Sequence, residues 1–245
     1  MSPPYSATWE RLDSDVGRYT SIGGQDTTKP LPYNPREPIR KQVETSFQNS
    51  LANLHTNYLD SYILHSPLKT IEHTLEAWRT LMALQDEGKV RIIGVSNTYD
   101  VDILHALSSE RKVQVVQNRW YEGNDWDKHV HSYCQEHEIQ YQCVVHFLQY
   151  VMHVASLTYQ YNSRSFWTLS GSPSLLSHPS LIAIAKASNC TPAQAMFRFA
   201  QMQEITPLSG TTNELHMQQD LAVENIQFAA ALNSHLDVIR QYVLG

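Results

Sequence analysis

The residues best suited to chemistry in this chain sit where apolar runs end. "YLDSYILHSPL" (Tyr58–Leu68) leads to His65 and Ser66, "GKVRIIGVSN" (Gly88–Asn97) to Ser96 and Asn97, "VQVVQNRWY" (Val113–Tyr121) passes through Gln117 and Asn118, and "ITPLS" ends on Ser209. An imidazole titrates near neutrality and can hold or hand over a proton, while serine, asparagine and glutamine offer donors and acceptors without charge. Each residue also has a plain structural use. His65 could be a strand-end residue satisfied by backbone, Asn97 and Ser209 could be helix caps, and Gln117 a strand-end hydrogen bonder. One polar strand end is ordinary; the same feature repeated on successive strands describes a site.

These residues need elements to position them. Ile39, Val43, Phe47, Leu51 and Leu54 recur at three- and four-residue steps, which predicts an amphipathic helix over 39–54. Further helices are expected over 71–86, stopped by Gly88, over 101–108 with Asp100 as cap, and over 127–137. Later ones run from near His178 through "TPAQAMFRFAQ" with a break at Cys190–Pro192, through "NELHMQQDLA", and from Ala229 to Leu244. Strands are expected at Val16–Ile22, 60–66, 89–97, 113–121, 139–142 and 205–209. Such alternation means parallel βαβ units, with a sheet covered on both faces. A closed barrel and an open doubly wound sheet both satisfy the pattern. No G-x-G-x-x-G opens a helix after a strand, which disfavours the dinucleotide-binding open sheet.

The chain of 245 residues is long enough for one α/β barrel domain over 1–245. Charged residues make up 17% and the net charge is −6, with no basic block, so neither a nucleic-acid footprint nor an anionic-membrane binder is expected. Cys134, Cys143 and Cys190 show neither metal spacing nor a disulfide framework, which implies a reducing, cytoplasmic setting. "MSPPYSATWERLDSDVG" lacks the layout of a signal peptide, and "CVVHFLQYVMHVASL" is too short for a membrane span. His129, His131, Cys134 and His137 tempt a metal reading, but a solvated face of an outer helix accounts for them more simply.

The strand motifs identify a family. "YLDSYILHSPL", "GKVRIIGVSN" and "VQVVQNRWY" closely resemble consecutive strands of the aldo-keto reductases, over about Val16 to Ile226. The resemblance implies a (β/α)8 barrel binding NADP(H), with NAD(H) the second choice, and hydride transfer to a small carbonyl substrate. It implies that His65 orients the carbonyl, that Ser96, Asn97 and Gln117 hold the nicotinamide carboxamide, and that Phe166 in "SFWTL" stacks on the ring. Ser209 in "TPLSGTT" falls where the family holds the adenosine phosphate.

Departures from the family are equally informative. "MSPPYSATWERLDSD" contains Tyr5, Asp13 and Asp15 but no motif for the family's catalytic tyrosine and aspartate. The expected architecture is therefore an incomplete TIM barrel lacking about the first two βα units, with residues 1–15 as a non-family N-terminus. Two uncovered sheet edges would then need protection. Arg18 stands at the position of the family lysine, and Leu208 and His216 stand where the phosphate loop usually offers cations. Residues 143–164 have no family counterpart. They read either as a genuine insert, expected to break a parallel ladder, or as a retained intron whose removal rejoins "HEIQYQ" to "SFWTL". Gln142-Cys143-Val144 can be encoded with a donor-like GTGCGT, and Arg164 can supply the terminal AG.

Three functions compete. The first is a carbonyl reductase with impaired turnover. The second is a non-catalytic relative that binds cofactor or a partner. The third is a truncated product that does not fold stably.

Overall fold

The computed structural model describes residues 6–9, 33–146, 172–210 and 214–245. It divides into two compact units, Met1–Asn118 with Ser132–Gln140, and Arg119–His131 with Tyr141–Gly245.

The first unit alternates strand and helix: β1 (Ser6–Trp9), α1 (Ile39–Leu54), β2 (Leu59–Leu64), α2 (Ile71–Asp86), β3 (Val90–Ser96), α3 (Val101–Glu110) and β4 (Val115–Asn118). Neighbours pair in parallel, β1 on β2 from Ser6↔Ser61 to Trp9↔Leu64, β2 on β3 and β3 on β4. A strand within the N-terminal segment that matches no family motif therefore covers the β2 edge. The expected strand Val16–Ile22 lies outside the described residues.

Local sequence accounts for the helix ends. Thr70 Oγ1 accepts the His73 N–H at 3.3 Å, and Asp100 Oδ1 accepts the Asp102 N–H at 2.9 Å, so both helices begin on the caps their sequence supplies. Gly88 ends the second helix at φ +69°, donating to the Gln85 carbonyl at 2.9 Å. The α1 face that packs inward is Val43 and Phe47, with Gln42 and Ser46 buried beside them; Leu54 at its end is exposed. Phe47 meets the Tyr62 ring edge-on at 5.5 Å, and the Tyr62 hydroxyl donates to the Val43 carbonyl at 3.4 Å. Burial pushes that phenol's pKa well up. Trp78, Leu81, Ile63, Ile93 and Leu104 complete an apolar layer.

The second unit contains a 3-10 turn at Glu122–Asp127, the start of α4 (Lys128–Glu136), and β5 (Gln140–His146) from Tyr141 onward. It continues with α5 (Pro173–Leu176), α6 (Pro179–Ala187), α7 (Pro192–Met202), β6 (Ile205–Gly210), α8 (Glu214–Leu221) and α9 (Asn233–Leu244). Thr191 and Gln194 form a capping box that restarts the helix after the break at Cys190.

β5 departs from expectation. It pairs in parallel with β6 from Tyr141↔Ile205 through His146↔Gly210, so Cys143–His146 prolong the ladder where an interruption was expected. A valine pair after a small buried cysteine suits a strand, and the ladder takes the residues that local propensity offers. Asp125, Trp126 and Asp127 all adopt positive φ. Trp126 packs on Trp120 at 5.1 Å and the Tyr141 hydroxyl donates to Asp127 Oδ2 at 2.7 Å, contacts that hold the bend. Among the described residues, no helix is long and apolar enough to cross a membrane.

Candidate functional site

Three strand ends of the first unit come level. Leu64 pairs with Val95, and Ser96 pairs with Gln117, so His65, Ser96 and Gln117 occupy the same height across β2, β3 and β4. Parallel pairing makes this possible, because every strand then finishes on the same side. Gly94 lets β3 and β4 approach: a Cβ there would fall on the Val115 carbonyl.

Hydrogen bonds fix the group. The Ser96 hydroxyl donates to the Gln117 carbonyl at 2.6 Å, and the Asn97 backbone N–H donates to the same oxygen at 3.2 Å. Asn97 sits at φ +48°, a left-handed conformation that asparagine tolerates better than most residues. From there its Nδ2 donates to the His65 carbonyl at 2.8 Å and to Ser96 Oγ at 3.2 Å. One side chain thus ties the ends of β2 and β3 together. Its Oδ1 accepts no hydrogen bond among the described residues.

A second layer locks the loop that follows. Asn118 Oδ1 accepts the Thr98 N–H at 2.9 Å and its Nδ2 donates to the Thr98 carbonyl at 2.7 Å, while Thr98 Oγ1 donates to the Ser96 carbonyl at 3.0 Å. Thr98 and Asn118 are fully buried, Ser96 and Gln117 nearly so, and His65 and Asn97 are half-buried. This gives a half-open amide on a buried polar floor, with His65 half-buried at the same height. Such a constellation can hydrogen-bond a flat amide group and present a proton-exchanging ring beside it.

The second unit holds Ser209 and His216. Ser209 is exposed near the C-terminal end of β6, and its hydroxyl donates to the Asp220 carboxylate on α8. His216 lies one turn before Asp220 and is half-buried. Gln194 Nε2 donates to the Gln219 carbonyl at 2.9 Å, which anchors α8 to α7. Arg18 and Phe166, with Tyr5, Asp13 and Asp15, lie outside the described residues.

Sequence reasoning passed over Thr98, Asn118 as a lock, and Asp220. For Asn118 the signal was its place beside Gln117 at a strand end. For Asp220 there was none, since nothing in the spacing of "SGTTNELHMQQD" forecasts a return to Ser209. Of the metal-tempting residues, His131 lies in the second unit, its Nε2 3.2 Å from the Gln203 carbonyl. In the first unit, His137 stacks on Tyr133 at 4.0 Å.

Comparison with known proteins speaks to the family and the fold. The uncharacterised oxidoreductase YtbE of Bacillus subtilis is 25% identical over 202 residues, which cover 82% of this chain and 63% of that protein. The putative methylglyoxal reductase DkgA of Salmonella typhi is 39% identical over 80 residues, 33% of this chain and 29% of the relative. Among solved structures, an aldo/keto reductase from Brucella melitensis superposes with a TM-score of 0.64 at 19% identity, covering 82% of this chain and 68% of its own. An aldo-keto reductase from a Medee basin deep-sea metagenome library gives 0.63 at 24% identity, covering 84% and 68%. The chain thus spans 63% of the length of the B. subtilis relative. The architecture is the parallel α/β arrangement of the aldo-keto reductase TIM barrels. With the family model for aldo/keto reductases matching residues 28–241, the chain belongs to the aldo/keto reductase family.

Proposed function

We propose that the level strand ends of the first unit hold the nicotinamide end of NAD(P)H beside a small aldehyde or ketone, which is reduced to an alcohol. The single observation that carries this is Asn97, which spends both donors on His65 and Ser96 and keeps Oδ1 open. A carboxamide N–H needs an acceptor, and the open Oδ1 of Asn97, above buried polar neighbours, suits that need. When bound, the cofactor would supply the hydride for the carbonyl carbon. His65 would orient the carbonyl oxygen. Ser96 and Gln117 would complete the carboxamide cradle, and Phe166 is assigned to the ring face. Ser209 and His216 are assigned to the adenosine phosphate. NADP(H) is the family expectation and NAD(H) the second choice.

Arg18 stands at the lysine position, and its always-protonated guanidinium is a poor replacement for lysine. No family tyrosine motif is found in residues 1–22. We therefore assign low turnover to this chain, with a non-catalytic cofactor-binding protein as the second reading.

The deciding experiment measures NADPH and NADH binding by tryptophan fluorescence and oxidation of either cofactor with simple aldehydes. Saturable binding weakened about tenfold by Asn97→Ala, with slow turnover lost in His65→Ala, is expected. Binding without turnover selects the second reading. Robust turnover abolished by His65→Ala and indifferent to Tyr5→Phe would refute the assignment of low activity. Absence of any binding by the folded protein would end both readings.

A further inference from the structure

Ser209 was expected to meet an anionic phosphate, yet its hydroxyl donates to a carboxylate, that of Asp220. The pairing has two consequences for any group arriving there. The serine proton is committed to Asp220 and is not offered to a phosphate oxygen. The carboxylate also brings a full negative charge to the place where a 2′-phosphate would put nearly two more, and like charges at close range repel strongly near a low-dielectric surface. Along the sequence, Leu208 before Ser209 is apolar, and the basic residue of α8 is His216. The helix carrying Asp220 is docked by the Gln194–Gln219 bond.

We infer that Asp220 sets cofactor choice in this chain, favouring an adenosine with a free 2′-hydroxyl, and hence NAD(H), over the 2′-phosphorylated NADP(H). A carboxylate accepts a ribose hydroxyl well, which is how acidic residues select NAD in other dinucleotide sites, whereas 2′-phosphate recognition calls for a cation. The inference rests on the proposed placement of the adenosine end at Ser209, and it narrows that proposal from two cofactors to one.

Probes lacking the nicotinamide test it separately from the reductase reading. Calorimetry would compare AMP with adenosine 2′,5′-bisphosphate on the wild-type chain, Asp220→Asn and Asp220→Ser, each verified as folded by circular dichroism. Wild type is expected to bind AMP at least about tenfold more tightly. Both substitutions should close most of that gap by improving the 2′,5′-bisphosphate, and His216→Arg should improve it further. The inference is overturned if the wild type binds the two probes equally, or if its selectivity survives both Asp220 substitutions. It is also overturned if neither probe binds; NADH binding that depends on Asn97 would then show that the nicotinamide reading survives alone.

Discussion

Asn97 answers two separate demands. Its backbone must adopt φ +48°, and its side chain must reach the His65 carbonyl and Ser96 Oγ. Glycine meets the first demand and not the second; alanine meets neither. Asn97→Gly should therefore lose about 1 kcal/mol of stability for the hydrogen bonds, and Asn97→Ala about 1 kcal/mol more for the backbone. Urea midpoints would separate the two, and equal losses would show that the left-handed turn carries no cost. His131 offers a second test at this scale. Burial holds its pKa below the usual imidazole value, with the Gln203 carbonyl only partly opposing. The unfolded chain consequently takes up the proton first, so this contribution is full above about pH 6.5 and is lost as pH falls from there toward the lower folded value. Melting temperatures between about pH 5 and 7.5 should fall more steeply on the acid side for wild type than for His131→Gln. Parallel curves would rule the imidazole out.

Elements were legible wherever their signals were local. The second helix, Ile71–Asp86, follows from an apolar face and a stopping glycine, and the structure adds the Thr70 cap at its start. Asp100 was readable as a cap for the same reason, and Asp100→Ala should cost about 1 kcal/mol in chemical denaturation while leaving the other helices intact. Strand ends were less legible. β4 covers only Val115–Asn118 of the apolar run, and its pairing with β3 spans Val115–Gln117, a register set between strands and not within one. Gly94 shows why: its closeness to the Val115 carbonyl cannot be read from either strand alone. Gly94→Ala should push β3 and β4 apart, costing about 1–3 kcal/mol and weakening cofactor binding together with stability. A substitution that left the melt unchanged would show that the strands have slack there.

At the scale of the molecule, the least expected feature is β5. The segment without family counterpart begins at Cys143, yet Cys143–His146 pair with Pro207–Gly210 in unbroken register. The alternative continuation, Ser165 onward, lies outside the described residues and resembles the family's strand in sequence. A variant joining Gln142 directly to Ser165 tests which partner β6 prefers. If 143–164 is a retained intron, that variant should melt more cooperatively and at higher temperature than the full chain, and transcripts lacking the segment should predominate. A less stable variant would mark the segment as a working part of the fold. Cys134, Cys143 and Cys190 form no disulfide, so reducing agent should leave the melting temperature of either form unchanged.

From sequence alone came the family, the alternation of strand and helix, and the polar residues that finish successive strands. Those properties depend on neighbours a few positions away, through periodicity, capping and motif spacing. Only the tertiary structure decided that His65, Ser96 and Gln117 stand level, that Asn97 turns left-handed to join them, and that Asp220 comes back to Ser209. Register and close approach arise between strands and helices distant along the chain. They are set by which side chains can pack where two backbones meet, and no single segment contains that information.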